Sequence, residues 1–210
     1  MDDIITGGND LNEVLNLRIQ LEGLMTSGGF RFRKRASNCA EVLEGIEEEN
    51  LAIHTYENLE SNQTVKALGL TWLPVEDVLR FDFKFSKTDC DVILTKRKIL
   101  SIIATLFDPL GLIGATITTA KILMQSLWIC RDENEKLLEW DQPVPQTVGE
   151  TWRNFHEQLP FLNEIQIERC VIISGAVMVE IHCFSDASEK AYGGCICIKS
   201  QNLEGLEFTF

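Results

Sequence analysis

Positive charge is scarce in this sequence: 210 residues carry 19 Lys and Arg against 32 Asp and Glu, a formal net charge of −13. A chain of that sign repels polyanions as a whole, so the balance taken alone argues against nucleic-acid binding. Long apolar runs are missing too. No stretch approaches the roughly 20 consecutive apolar residues of a membrane span, and Met1-Asp2-Asp3 has neither the basic start nor the apolar core of a secretory leader. A soluble, unprocessed chain with no membrane partner is expected. Paired cysteine motifs are also lacking. Seven cysteines, an odd number, are scattered without a C-x-x-C pair, which speaks against a disulfide framework and for a reducing compartment. Cys195-x-Cys197 with His182 and Cys183 is the nearest approach to a metal pattern, and the thiols are expected instead as small buried hydrophobes. Apolar residues, by contrast, make up 45% of the chain, enough for the core of one ordinary domain or two small ones.

The punctuation is clear along most of the chain. Asp10 and Glu13 are spaced as a capping box ahead of Val14, Leu17, Leu21, Leu24 and Met25, a stripe at helical spacing that Ser27-Gly28-Gly29 stops. Phe30 to Lys34 alternates aromatic with basic and reads as a short strand, followed by an acidic surface excursion over residues 41–62. Val65 to Trp72 and Val78 to Phe85 read as a hairpin around Pro74 to Asp77, with Phe81, Phe83 and Phe85 alternating on one face. Thr95 caps a helix bearing Ile99, Ile102, Ile103 and Leu106, which Asp108-Pro109-Leu110-Gly111 breaks. Ile117, Ala120, Leu123, Met124, Leu127 and Trp128 mark a second helix. Thr147 and Glu150 form a capping box for a third, with Trp152, Phe155 and Leu159 on its stripe and Pro160 ending it. From Ile172 period two returns, giving strands through Cys183, over residues 191–199 and over residues 206–210.

Carboxylates are the candidates for chemistry. Asp2 and Asp3 are adjacent, just before an apolar run closed by Gly7-Gly8, and paired acidic oxygens on a tight turn suit Mg²⁺. Asp186 stands where an apolar strand meets Ser-x-x-Ser, a position open to a metal ligand or a plain turn-former.

Met1-Asp2-Asp3-Ile4-Ile5-Thr6-Gly7 resembles the tail of the reverse-transcriptase Y-x-D-D box without its tyrosine. Further along come Gly29 to Asn38, Leu68-Gly69-Leu70-Thr71-Trp72, Thr95-Lys96-Arg97, and Leu106 to Leu112. Phe184-Ser185-Asp186-Ala187-Ser188 and Ala191-Tyr192-Gly193-Gly194 close the series. In order and spacing these segments are similar to the Pol polyprotein of BEL/Pao-type LTR retrotransposons. The resemblance implies an α/β (α+β) chain in three parts. Residues 1–94 would be the end of a reverse-transcriptase palm with a primer-grip-like hairpin, 95–170 a helical thumb and connection, and 171–210 the first strands of an incomplete RNase H-like unit. It implies that Asp2, Asp3 and Asp186 are catalytic carboxylates holding Mg²⁺ in the intact parent. Arg31, Arg33, Lys34, Arg35, Trp72, Lys96 and Arg97 would lie along an RNA/DNA template-primer, with the remaining Pol segments as partners. The parent activity would be RNA-directed DNA polymerase with RNase H, in a cytoplasmic virus-like particle or the nucleus. The other carboxylates of both sites have no counterpart in this sequence, so no turnover is expected of the chain alone.

Two other readings stand beside this one. The same Pol region also goes under the name of a Pao retrotransposon peptidase, yet an aspartic protease of retroviral type needs Asp-Thr/Ser-Gly, and Ser185-Asp186-Ala187-Ser188 is the nearest approach. Serine or cysteine catalysis through Ser185 or Cys183 with His182 fails because strand neighbours point to opposite faces. The third reading is a domesticated, non-catalytic remnant kept for protein contacts.

Overall fold

The structure, a computed structural model, describes residues 3–52, 64–85, 93–132 and 134–210. Helices and antiparallel sheets alternate along the chain, the mixed α/β class expected, and the residues group into two compact units. Unit 1 takes the chain up to Arg80 with Gln166–Glu180 and Ile198–Phe210, and unit 2 takes Phe81–Ile165 with Ile181–Cys197.

In unit 1, helix α1 (Leu11–Ser27) begins where the Asp10 carboxylate accepts the amides of Asn12 at 2.8 Å and Glu13 at 3.1 Å, and Gly28 closes it. Val14, Leu17, Leu21 and Met25 are half-buried, whereas Leu24, expected on the same stripe, is 66% exposed. Arg18 reaches off the helix to donate to the carbonyls of Val42 at 2.6 Å and Glu44 at 3.0 Å. That contact steadies a 3₁₀ turn, Ala40–Leu43, whose Leu43 is buried, so the excursion expected to lie wholly on the surface contributes to the core. Phe30 to Lys34 forms no strand. Lys34 turns left-handed at φ 54°, ending the extended run, and only Arg35 pairs, with Leu51.

A four-stranded antiparallel sheet, β1 (Val65–Ala67), β2 (Leu70–Leu73), β3 (Val78–Arg80) and β4 (Gln166–Glu168), makes the core of this unit. The run expected as one strand to Trp72 is broken by Leu68-Gly69. Both residues have positive φ, 52° and 78°, as a two-residue hairpin turn of primed type requires, and Ala67 faces Leu70 across it. All of β2 is buried. Asp77, at the second turn, fastens the unit. Its carboxylate accepts the Trp72 indole N–H at 2.9 Å and two guanidinium N–H groups of Arg169 at 2.6 and 2.8 Å, and that guanidinium lies 5.7 Å from the centre of the Trp72 ring.

Unit 2 holds α2 (Lys96–Ile103), α3 (Gly114–Ile129) and α4 (Gln146–His156). Thr95 caps α2 as expected, through the Lys98 amide at 3.2 Å. The Asp108 carboxylate accepts the amides of Leu112 and Ile113, both at 2.9 Å, and so prepares the start of α3. Thr147 does not cap α4, because the helix begins one residue earlier, with Pro145 fixing the approach. Ile99, Ala120, Leu127, Trp152 and Leu159 are sealed in its core, while Trp128, expected there, is 48% exposed. The phenylalanines expected on a strand leave the ladder at Phe81. Phe81, Phe83 and Phe85 stack in sequence, and the side chain of Asn163 bonds both the amide and the carbonyl of Phe83 at 2.9 and 2.8 Å in place of a neighbouring strand.

The strands β5 (Ala176–Ala187), β6 (Tyr192–Asn202) and β7 (Glu207–Thr209) form an antiparallel meander. Ser188 to Ala191 turns the long hairpin, Ser188 N–H donating to the Ala191 carbonyl at 2.8 Å. Its apolar side chains are exposed, among them Ile181, Phe184 and Ile196. None of the six described cysteines is fully buried or in a disulfide, which corrects the expectation of buried thiols: they lie on this open hairpin and on loops.

The Asp77 junction predicts that Asp77→Ala costs about 2–4 kcal/mol, since it strands a half-buried guanidinium and an indole N–H together. Asp77→Asn, which keeps an acceptor and tolerates positive φ, should fall between. Denaturant unfolding followed by tryptophan fluorescence measures both, and equal stability of Asp77→Ala and the parent chain would contradict the junction's role.

Candidate functional site

Asp3 is held by the turn that breaks the first expected strand. Its Oδ2 accepts the Leu68 amide at 2.9 Å. A non-glycine residue with positive φ is strained, and the carboxylate of Asp3 compensates the Leu68 amide there. Asp2 lies outside the described residues, so the pairing of the two carboxylates is not part of this geometry.

Asp3 stands on the rim of a cleft of about 290 Å³ within unit 1, walled by α1, residues 32–38 and β1. Arg18, Arg33, Lys34, Arg35, Lys66 and Arg169 face it, with Asp3 and Glu22 as its acids among the described residues. In a chain of net charge −13 this is a local reversal of sign. Most of these cations are committed. Arg18 holds two carbonyls, Arg35 is paired with Glu22 and stacks 5.3 Å from the Phe32 ring centre, and Arg169 is clamped by Asp77. The Lys66 ammonium donates to the Thr71 hydroxyl at 2.7 Å. Arg33 and Lys34 are exposed and make no ion pair among the described residues. Arg31 and Arg33 also face a second cleft of about 260 Å³, which Glu47 and Glu49 share.

The remaining basic and aromatic candidates are engaged with neighbouring side chains. Trp72 is buried with its N–H given to Asp77. Lys96 is buried with its ammonium 5.7 Å from the Trp128 ring centre. Arg97 is exposed and bonded twice to Asp141, at 2.7 and 3.0 Å, and this guanidinium holds the Asp141 carboxyl below its ordinary range.

Asp186 lies near the tip of the β5–β6 hairpin, fully open, with Oδ1 accepting the Ala187 amide at 2.8 Å. Among the described residues, no group of three His, Cys, Asp or Glu gathers to hold a metal ion. Among the described residues Asp3 and Asp186 are thus single carboxylates, each with one oxygen already bonded to a backbone amide, and neither by itself fits the two-metal arrangement of RNase H or polymerase chemistry. On the same hairpin, desolvation pushes the Cys197 thiol up, helped by the neighbouring Cys195 and Cys183.

Sequence reasoning missed Arg18, Lys66 and Arg169 as cleft residues. They come from α1, from β1 and from the residue after β4, and no local motif joins them.

The carboxylate of Asp3 predicts a local effect on dynamics. Asp3→Ala should speed hydrogen exchange of the Leu68 amide about tenfold by removing a charge-assisted bond, while Asp3→Asn retains part of the protection. An unchanged exchange rate in Asp3→Ala would show that the carboxylate does not hold the turn.

A family model described as a Pao retrotransposon-like RNaseH-like domain matches residues 95–208, from the cap of α2 into β7. Comparisons with curated proteins and with solved structures give no match. The matched residues include both the helices of unit 2 and the hairpin carrying Asp186, more than half of the sequence, and the chain belongs to the Pao retrotransposon-like RNaseH-like domain family.

Proposed function

We propose that this chain is the segment of a BEL/Pao-type Pol polyprotein that lies against an RNA/DNA template-primer between the polymerase and RNase H centres. The observation that carries the reading is the reversal of charge beside Asp3. Arg33 and Lys34 are exposed on a cation-lined cleft and make no ion pair among the described residues, and Phe30, close by in sequence, is exposed. Phosphates supply most of the affinity in such complexes, and aromatic faces add stacking. Family membership supports the same reading, because RNase H-like domains act on nucleic acid and generally use divalent metals.

In this proposal the parent protein performs RNA-directed DNA synthesis and RNA cleavage by Mg²⁺-dependent phosphoryl transfer. Asp3, with Asp2, serves the first centre and Asp186 the second, each joined by carboxylates from other Pol segments. Residues 1–94 act as the palm end, 95–170 as thumb and connection, and 171–210 as the opening of RNase H. The isolated chain binds and does not turn over. The aspartic-peptidase alternative lacks the Asp-Thr/Ser-Gly loop it requires, Ser185-Asp186-Ala187-Ser188 being the nearest approach.

Binding of an RNA:DNA hybrid, measured across a salt series by fluorescence anisotropy, tests this. The double variant Arg33→Ala/Lys34→Ala should weaken binding about tenfold or more at low salt and make the log–log salt slope shallower by about 1.8, roughly 0.9 for each phosphate left without its cation. An unchanged slope would rule out phosphate binding by this segment.

A further inference from the structure

Within unit 2, α3 and the turn of the β5–β6 hairpin line an open cleft of about 400 Å³. Ile122, Met124 and Trp128 contribute its apolar lining, and Lys121 from the helix and Lys190 from the turn contribute its cations. No carboxylate lines it among the described residues, although acids outnumber bases 32 to 19 in the sequence. Neither lysine is engaged in an ion pair among the described residues.

Trp128 is 48% exposed, unusual for an indole beside a helical core, and it is held in place. Trp140 meets it edge-on with ring centres 5.3 Å apart at 85°, and the Lys96 ammonium lies 5.7 Å from its centre. A braced, half-exposed indole beside two ammonium groups that make no ion pair among the described residues suits a flat ring carrying an anionic group. An unpaired nucleotide has that chemistry, and the cleft is of the size usual for such ligands.

We propose that this cleft binds one unpaired nucleotide of a single strand, its base against Trp128 and its phosphate between Lys121 and Lys190. The site is separate from the Arg33 and Lys34 segment and rests on the nucleic-acid reading only in its class of ligand. It would hold a strand on the hairpin that carries Asp186.

Quenching of tryptophan fluorescence in the full chain by a short oligothymidylate tests the proposal, since Trp72 and Trp152 are buried and the response comes from Trp128 and Trp140. Lys121→Ala/Lys190→Ala, which alters only exposed side chains, should lower single-strand affinity about tenfold and make the salt slope shallower by about 1.4, roughly 0.7 for each lysine on single strands. Trp128→Leu should remove most of the quenching. The double lysine variant should leave RNA:DNA hybrid binding unchanged, and Arg33→Ala/Lys34→Ala should leave the quenching unchanged, so the two sites fail independently. Unchanged oligothymidylate affinity in the double lysine variant would overturn the proposal, as would equal quenching by an acidic aromatic peptide, which would assign the cleft to protein.

Discussion

The carboxylate of Asp77 is the group on which unit 1 depends. It sits at a left-handed position in the turn between β2 and β3, where it takes the N–H of Trp72 from one strand and the guanidinium of Arg169 from a segment 92 residues away. Without it, the buried side of β2 would leave an indole N–H unpaired, and β4 would be attached to β3 by three residues of ladder and the bond from the Arg169 amide to the Asp77 carbonyl. Arg169 is also one of the cations lining the cleft beside Asp3, so the interaction that closes the sheet fixes part of the charge at the candidate site. Stability and the proposed binding surface are joined through one side chain.

Net charge misleads about such a surface because it averages over positions that a ligand never meets. Glu47 and Glu49 share one cleft with Arg31 and Arg33, whereas the cleft beside Asp3 is cation-lined. Most of those cations are spent on carbonyls, on ring faces or on carboxylates, which leaves Arg33 and Lys34 as the pair without an ion partner among the described residues. The same division holds in unit 2, where Lys96 and Arg97 brace two tryptophans while Lys121 and Lys190 remain open. Position in the fold, rather than abundance in the sequence, separates the structural cations from those available to phosphate.

The parts of the fold legible in the sequence are those governed by near neighbours. Asp10 and Thr95 cap their helices because a cap needs only the next two or three amides, and the β5–β6–β7 meander follows from alternation and short turns. Where a residue's partner is distant, local pattern gives the wrong element. Phe83 has strand-like neighbours but takes its backbone bonds from Asn163, and Phe30 to Lys34 alternates without a strand to pair with. Leu68-Gly69 escaped notice because leucine is a poor signal for a left-handed turn, and only the bond to Asp3 accounts for it. The acids of the candidate sites could be named from motif order. The cations that surround Asp3 could not, because three separate stretches of chain bring them together.

The central claim is that this acidic chain meets nucleic acid through two small cation-bearing surfaces, one in each unit, and the most direct measurement is a map of the residues that touch it. Ultraviolet cross-linking of the chain to a hybrid with a single-stranded overhang, read out by peptide mass spectrometry, should place adducts on Phe30 to Lys34 and on the α3 peptide containing Trp128. Adducts absent from both places, or confined to other peptides, would contradict the account.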